Sequence, residues 1–185
     1  TYALATDMGT ITIGNAGDSG NAVDDITPTA FEEANGSGSG TYSTDFGSGM
    51  DGSMSLKYGN SDVMGTGISV SYSYYPKLDG KTNNEKAASA ANDSAKKSAQ
   101  SMNVGIPLSG VPVLGDSPLG GAKITLGYEK SDAMQASFQP KEGGTVAVVL
   151  PVGPLSVGYQ KKAYAPVATA DGTKTFYKDD VVGIA

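Results

Sequence analysis

Residues 67–76, GISVSYSYYP, divide at every second position: Ile68, Val70, Tyr72 and Tyr74 fall on one side, Ser69, Ser71 and Ser73 on the other. Successive side chains of a strand point to opposite faces, so this segment sets an apolar, aromatic-tipped face against one medium and a face of small hydroxyls against another. The same division recurs along the chain. Met54, Leu56 and Tyr58 oppose Ser53, Ser55 and Lys57; Ala122, Ile124, Leu126 and Tyr128 oppose Lys123, Thr125, Gly127 and Glu129; Leu155, Val157 and Tyr159 oppose Ser156, Gly158 and Gln160. Period-two segments bounded by Gly, Pro, Asn or Asp cover 2–6, 10–15, 53–59, 67–75, 101–108, 122–130, 144–150, 155–162 and 180–185, and no helical period competes with them. An all-β chain is predicted.

The supply of core residues is thin for such a chain. Of 185 residues 38% are hydrophobic, 26 are Gly and none is Trp, whereas a soluble domain of this length ordinarily buries a substantial core. The chain has no Cys and no His, which removes disulfides, thiol chemistry, the usual zinc sites and the ordinary general base of serine and cysteine triads. An enzyme is not expected, nor is a cofactor. Net charge is −6 and every basic residue is Lys, so the clustered Arg and Lys of a nucleic-acid footprint is missing. No segment approaches the roughly 18 apolar residues of a membrane helix, and the start TYALATDMGT is not a leader. Both ends read as strand, which suggests an internal portion of a longer polypeptide.

The connections alternate in length: tight at 7–9, very long at 16–52, short at 60–66, long at 76–100, medium at 109–121, long at 131–143, tight at 151–154 and long at 163–179. Short links at one rim and long ones at the other are the mark of an up-and-down antiparallel β-barrel that crosses a membrane, with an aromatic girdle near one edge of its apolar band. Tyr72, Tyr74, Tyr128 and Tyr159 are the predicted girdle, all placed on one level. A soluble β-sandwich alternates as well. A barrel explains the low aliphatic content better, because a wide water-filled barrel has no packed interior to fill. Closure also satisfies every backbone group without a helix.

DMGTITIGNAGD (7–18), the long segment after it, and then SMSLKYGN and GISVSYSYYPKLDG resemble, in order and pattern, the general porins of Gram-negative outer membranes, of the Lys-rich, Arg-poor kind found in marine alphaproteobacteria. The resemblance covers nearly the whole chain, though each motif alone is degenerate. It implies a transmembrane up-and-down barrel present here in part, about nine strands of a sixteen-stranded wall. It also implies a homotrimer in contact with outer-membrane lipid and lipopolysaccharide, passing small hydrophilic solutes and ions. In that family the loop corresponding to 16–52 folds into the barrel and forms the constriction.

Asp18, Asp24, Asp25, Glu32, Glu33 and Asp45 are then the candidate constriction residues, although the family's Pro-Glu-Phe-Gly-Gly is replaced by PTAFEEANG. General porins set a ladder of basic residues, mostly Arg, against the acidic loop, and this chain has no Arg. Either other strands supply the ladder or the constriction is chiefly acidic and prefers cations, acting through its field rather than through specific bonds. Lys57, Lys123, Glu129 and Lys161 are the candidate pore-wall charges.

Other signals carry less. GSGSGTYS (36–43) has no helix after it to cradle a phosphate. EKAASAANDSAKKSAQ (85–100) holds helix formers but reads more simply as solvated loop. The adjacent acids Glu32 with Glu33 and Asp179 with Asp180 diverge if extended, and have neither calcium-loop nor glycosidase spacing. The competing reading is a β-rich cell-surface structural or adhesive protein without a channel.

Overall fold

The structure, a computed structural model, describes residues 1–15, 19–20, 23, 26–28, 54–76, 98–111, 113–131, 138–139, 141–165, 168–169 and 176–185. Among these there is no α-helix, and no helix long and apolar enough to cross a membrane. Eleven strands form: β1 (Tyr2–Thr6), β2 (Gly9–Gly14), β3 (Ser55–Asn60), β4 (Ser69–Tyr75), β5 (Ala99–Pro107), β6 (Lys123–Ser131), β7 (Phe138–Gln139), β8 (Lys141–Val152), β9 (Leu155–Ala165), β10 (Ala168–Thr169) and β11 (Tyr177–Ile184). Nine of them make one open sheet in the order β1-β2-β3-β4-β5-β6-β8-β9-β11, every neighbouring pair antiparallel. The two short strands β7 and β10 pair with each other in a separate ribbon.

All nine predicted strands are present, and the all-β, up-and-down order is as expected. Their ends differ where the apolar period fades. β8 begins at Lys141 and β9 continues to Ala165, so the ladder carries on through KEGG and KKAYA beyond the last strongly apolar outward residues. Hydrogen bonding needs no hydrophobic contrast, and alternation cannot report a stretch whose outward residues are no longer strongly apolar. Most of the segment 85–100 lies outside the described residues; its last two, Ala99 and Gln100, belong to β5.

The rims are unequal. At one, the connections are residues 7–8, 61–68, 108–122 and 153–154; at the other they are 15–54, 76–98, 132–140 and 166–176. Turn chemistry explains the tight links. Between β8 and β9, Gly153 has φ 60° and is followed by Pro154, a positive-φ glycine before a residue of fixed negative φ, as two-residue hairpins require. Between β1 and β2, the Thr6 hydroxyl accepts from the Met8 N–H at 3.2 Å and donates to the Gly9 carbonyl at 2.9 Å. Gly9 itself has φ 121°, and a Cβ there would stand 2.7 Å from the Gly59 carbonyl oxygen and 2.9 Å from the Tyr58 ring. Tyr58 lies over the glycine and donates its hydroxyl to the Met8 carbonyl at 2.5 Å. Gly9→Ala therefore meets both a forbidden φ and an occupied space, and is expected to destabilise the hairpin by about 1–3 kcal/mol, read as a lower denaturant midpoint for the folded protein.

Burial in this sheet is the reverse of a soluble one. Leu56, Tyr72, Met102, Leu126, Val146, Val148, Val157, Val182 and Ile184 all point to one face and all are exposed. The opposite face carries Ser73, Ser101, Thr125, Glu129, Thr145, Gln160 and Lys162, all buried. No second sheet covers the apolar face among the described residues. The hydrophobic residues that are buried are few and mostly small: Val23, Tyr75, Ala99, Ala122, Ala147, Tyr164 and Ala165.

Candidate pore lining

Described residues of the long connection between β2 and β3 lie over the polar face. Ser19 reaches across β4, its hydroxyl 2.6 Å from that of Ser71 and 2.7 Å from that of Ser73, two residues that alternation puts on one face of one strand. Asn103 of β5 donates its amide to the Ser19 carbonyl at 2.6 Å. On the other side of β6 the same connection is held by Gln160 of β9. The Gln160 amide donates to the Val23 carbonyl at 2.8 Å and to the Thr145 hydroxyl at 2.9 Å, while its oxygen accepts from the Ile26 N–H at 3.1 Å. Val23 O can only accept and Ile26 N can only donate, so the strap itself dictates which end of the amide faces which way.

Thr27 and Pro28 then settle over a pair of glycines. Gly158 and Gly183 are directly opposed across β9 and β11. A Cβ on Gly158 would collide with the Pro28 ring, and one on Gly183 would meet the Pro28 carbonyl and come within 2.9 Å of Thr27 Cβ. The described residues from 19 to 28 thus form a strap from β4 and β5 to β9 and β11, laid over the polar face and tied at both ends.

The candidate wall charges divide. Lys57, Lys123 and Glu129 stand on the face that the strap crosses. Glu129 is 0% exposed, and Lys57 shares its register row through Ser73 and Ser101, three strand spacings away or about 14 Å. Lys123 sits nearer the short rim with its stem beside Gly105, where a Cβ would lie 2.9 Å from Lys123 Cε. Lys161 is a correction. It projects on the apolar face beside Tyr159, and its ammonium pairs with Asp180 at 3.1 Å. In QKK the parity set by Tyr159 turns Lys162, not Lys161, toward the strap; Lys162 is buried there. Counting two residues on from Gln160 identifies it.

Asp18, Asp24, Asp25, Glu32, Glu33 and Asp45 lie outside the described residues. In sequence Asp24 and Asp25 fall between Val23 and Ile26, the two positions that Gln160 holds. Three lysines, Lys57, Lys123 and Lys162, and one glutamate, Glu129, are the charged side chains described on the strap-facing side of the sheet. Gln160, Ser19 and the glycine pair were not singled out by sequence, since nothing local to a Gln or a Gly announces a partner more than a hundred residues away.

The outward tyrosines show a repeated device. Tyr72 donates its hydroxyl to Gln100 at 3.0 Å, Tyr128 to Glu142 at 2.9 Å, and Tyr159 to Asp180. Each acceptor lies on the next strand of the sheet, two residues from the tyrosine's direct register partner and toward the long rim. Apolar residues lie below each tyrosine and a polar one above it, an arrangement that suits an amphipathic ring at a boundary between hydrocarbon and water. The tyrosines are not all in one register row. Tyr58, Tyr72 and Tyr128 share a row with Met102, Tyr74 is two residues nearer the long rim, and Tyr159 lies four residues toward the short rim on β9. Strands of a closed barrel tilt against its axis, so a level boundary must cut across register rows.

No known protein family's sequence model matches this chain. No curated protein is similar enough to it to count as a relative.

Proposed function

We propose that this chain forms part of the wall of a porin-type outer-membrane β-barrel, with a water-filled passage that admits small hydrophilic solutes and ions down their gradients. The inverted burial carries this reading. A continuous apolar face of this extent is far larger than monomeric soluble proteins leave in water. Lipid tails make it costless, while hydroxyls, amides and lysines suit a wet lumen. In hydrocarbon an unpaired sheet edge is forbidden, so the reading requires further strands beyond β1 and β11 to close the barrel. The unequal rims fit short periplasmic turns and long outer loops, and the strap fits a constriction.

The electrostatics of such a passage follow from charges of one chain. The described residues from 19 to 28 of an acidic segment, 16–52, are tied over a face that carries Lys57, Lys123 and Lys162 beside the single described glutamate, Glu129. Facing rows of opposite charge make a transverse field, in which the acidic side gathers cations and orients dipolar solutes. This offers a source of the basic wall within the chain, without Arg. The residues proposed for the acidic side are Asp18, Asp24, Asp25, Glu32, Glu33 and Asp45, in a homotrimer of the outer membrane.

Planar-bilayer recording of the full-length protein in a salt gradient tests both parts. Ohmic single-channel steps with a reversal potential on the cation side are expected. Neutralising Asp24, Asp25, Glu32 and Glu33 together is expected to bring the reversal potential to zero or past it. A protein that stays monodisperse without detergent and carries no current would instead be a surface protein whose apolar face is covered by protein.

A further inference from the structure

We propose that Gln160 is the positioning residue that sets the width of the passage, by holding the strap at Val23 and Ile26, and with them Thr27 and Pro28, against β8, β9 and β11; the inference rests on the channel reading above. Three observations point to this one side chain. It is 0% exposed, and both ends of its amide are engaged by the strap and by Thr145. It has no slack, because Thr145 in turn donates its hydroxyl to the Lys161 carbonyl at 3.3 Å, which fixes the hydroxyl that Gln160 bonds. It also stands two residues from a place where the sheet makes room for the strap: at the opposed glycines Gly158 and Gly183, Thr27 and Pro28 occupy the space that a Cβ would need.

The two ties differ in kind. At Ser19 three hydroxyls bond one another and the Asn103 amide satisfies one strap carbonyl, so only one backbone group of the strap is held there. At Gln160 one side chain satisfies both a strap carbonyl and a strap N–H, so its loss leaves backbone groups at 23 and 26 without these partners. The bond to the Val23 carbonyl is buried and that from the Ile26 N–H part-buried, and losing both lowers the seated-to-released ratio of the strap by roughly tenfold to a hundredfold.

The chain has no cysteine, which allows a direct reading of release. Thr27 is buried, so a Thr27→Cys protein should react slowly with a water-soluble thiol reagent. Adding Gln160→Met, which keeps length and bulk but not the amide, should raise the labelling rate by roughly the same tenfold to hundredfold. The single-channel current should become larger and noisier. A Ser19→Cys, Ser73→Cys protein, whose parent hydroxyls are 2.7 Å apart, should still form its disulfide in the Gln160→Met background, which shows that the sheet and the first tie are intact. Unchanged labelling overturns the proposal. So does faster labelling without any change in current, since the strap would then not set the width. A parent protein that carries no current removes the channel reading itself, and that failure is distinct because Thr27→Cys protection is measured without it.

Discussion

A single arginine in the middle of the apolar face, Leu126→Arg, is expected to abolish assembly of the protein into lipid vesicles. Leu126 is 41% exposed, flanked across the strands by Val104 and Val146 and along its own by Ile124 and Tyr128. If that face meets lipid, the guanidinium enters hydrocarbon with no carboxylate in reach, at a cost of about 2–4 kcal/mol near the bilayer centre. Folding into vesicles of short-chain lipid, followed by the shift in gel mobility between heated and unheated samples, measures it. The comparison variant is Lys161→Ala, on the same face but at the polar end, beside Asp180 and Tyr159. An exposed, solvent-screened pair of this kind contributes little, so assembly should be nearly unchanged. If the face were bathed in water, the order would invert: Leu126→Arg would be harmless and would raise solubility. That outcome sinks the membrane reading outright.

The second large effect is expected from the glycine pair. Gly158→Val with Gly183→Val places two β-branched side chains where the strap now lies, and overpacking costs about 1–3 kcal/mol at each site. Valine at the same time suits a strand better than glycine does. The two changes should therefore separate the strap from the sheet. Folding into vesicles and heat resistance are expected to hold or improve, while single-channel conductance rises as Thr27 and Pro28 lose their seat. Equal loss of both would mean that the strap is part of the folding core rather than a constriction laid upon it. The result also bears on solute size: a wider passage should admit larger uncharged sugars in a liposome-swelling assay.

Both predictions use facts of different legibility. Which residues share a face could be read from parity alone, because a strand's side-chain period is two and is independent of anything distant. Where that count was kept, as from Ile68 to Tyr74 or from Leu155 to Gln160, the structure puts the residues on the faces expected. At Lys161 the count is off by one residue, and one residue is the whole difference between the polar and the apolar face of the sheet. Strand ends were less legible. β8 and β9 run past the apolar band into KEGG and KKAYA, where the outward residues are no longer strongly apolar and alternation has no contrast to report.

The sequence by itself determined the strands, their order of faces, the unequal rims and the charge of the long connection, since all of these follow from local period, turn residues and composition. Only the tertiary structure decided where that connection goes. The hydroxyls of Ser71 and Ser73, the amide of Gln160 and the empty space above Gly158 and Gly183 become a strap's seat only when β4, β9 and β11 are brought under residues 19–28. A hydrogen bond between residues 137 positions apart leaves no trace in either neighbourhood; its partners are chosen by the pairing of whole strands.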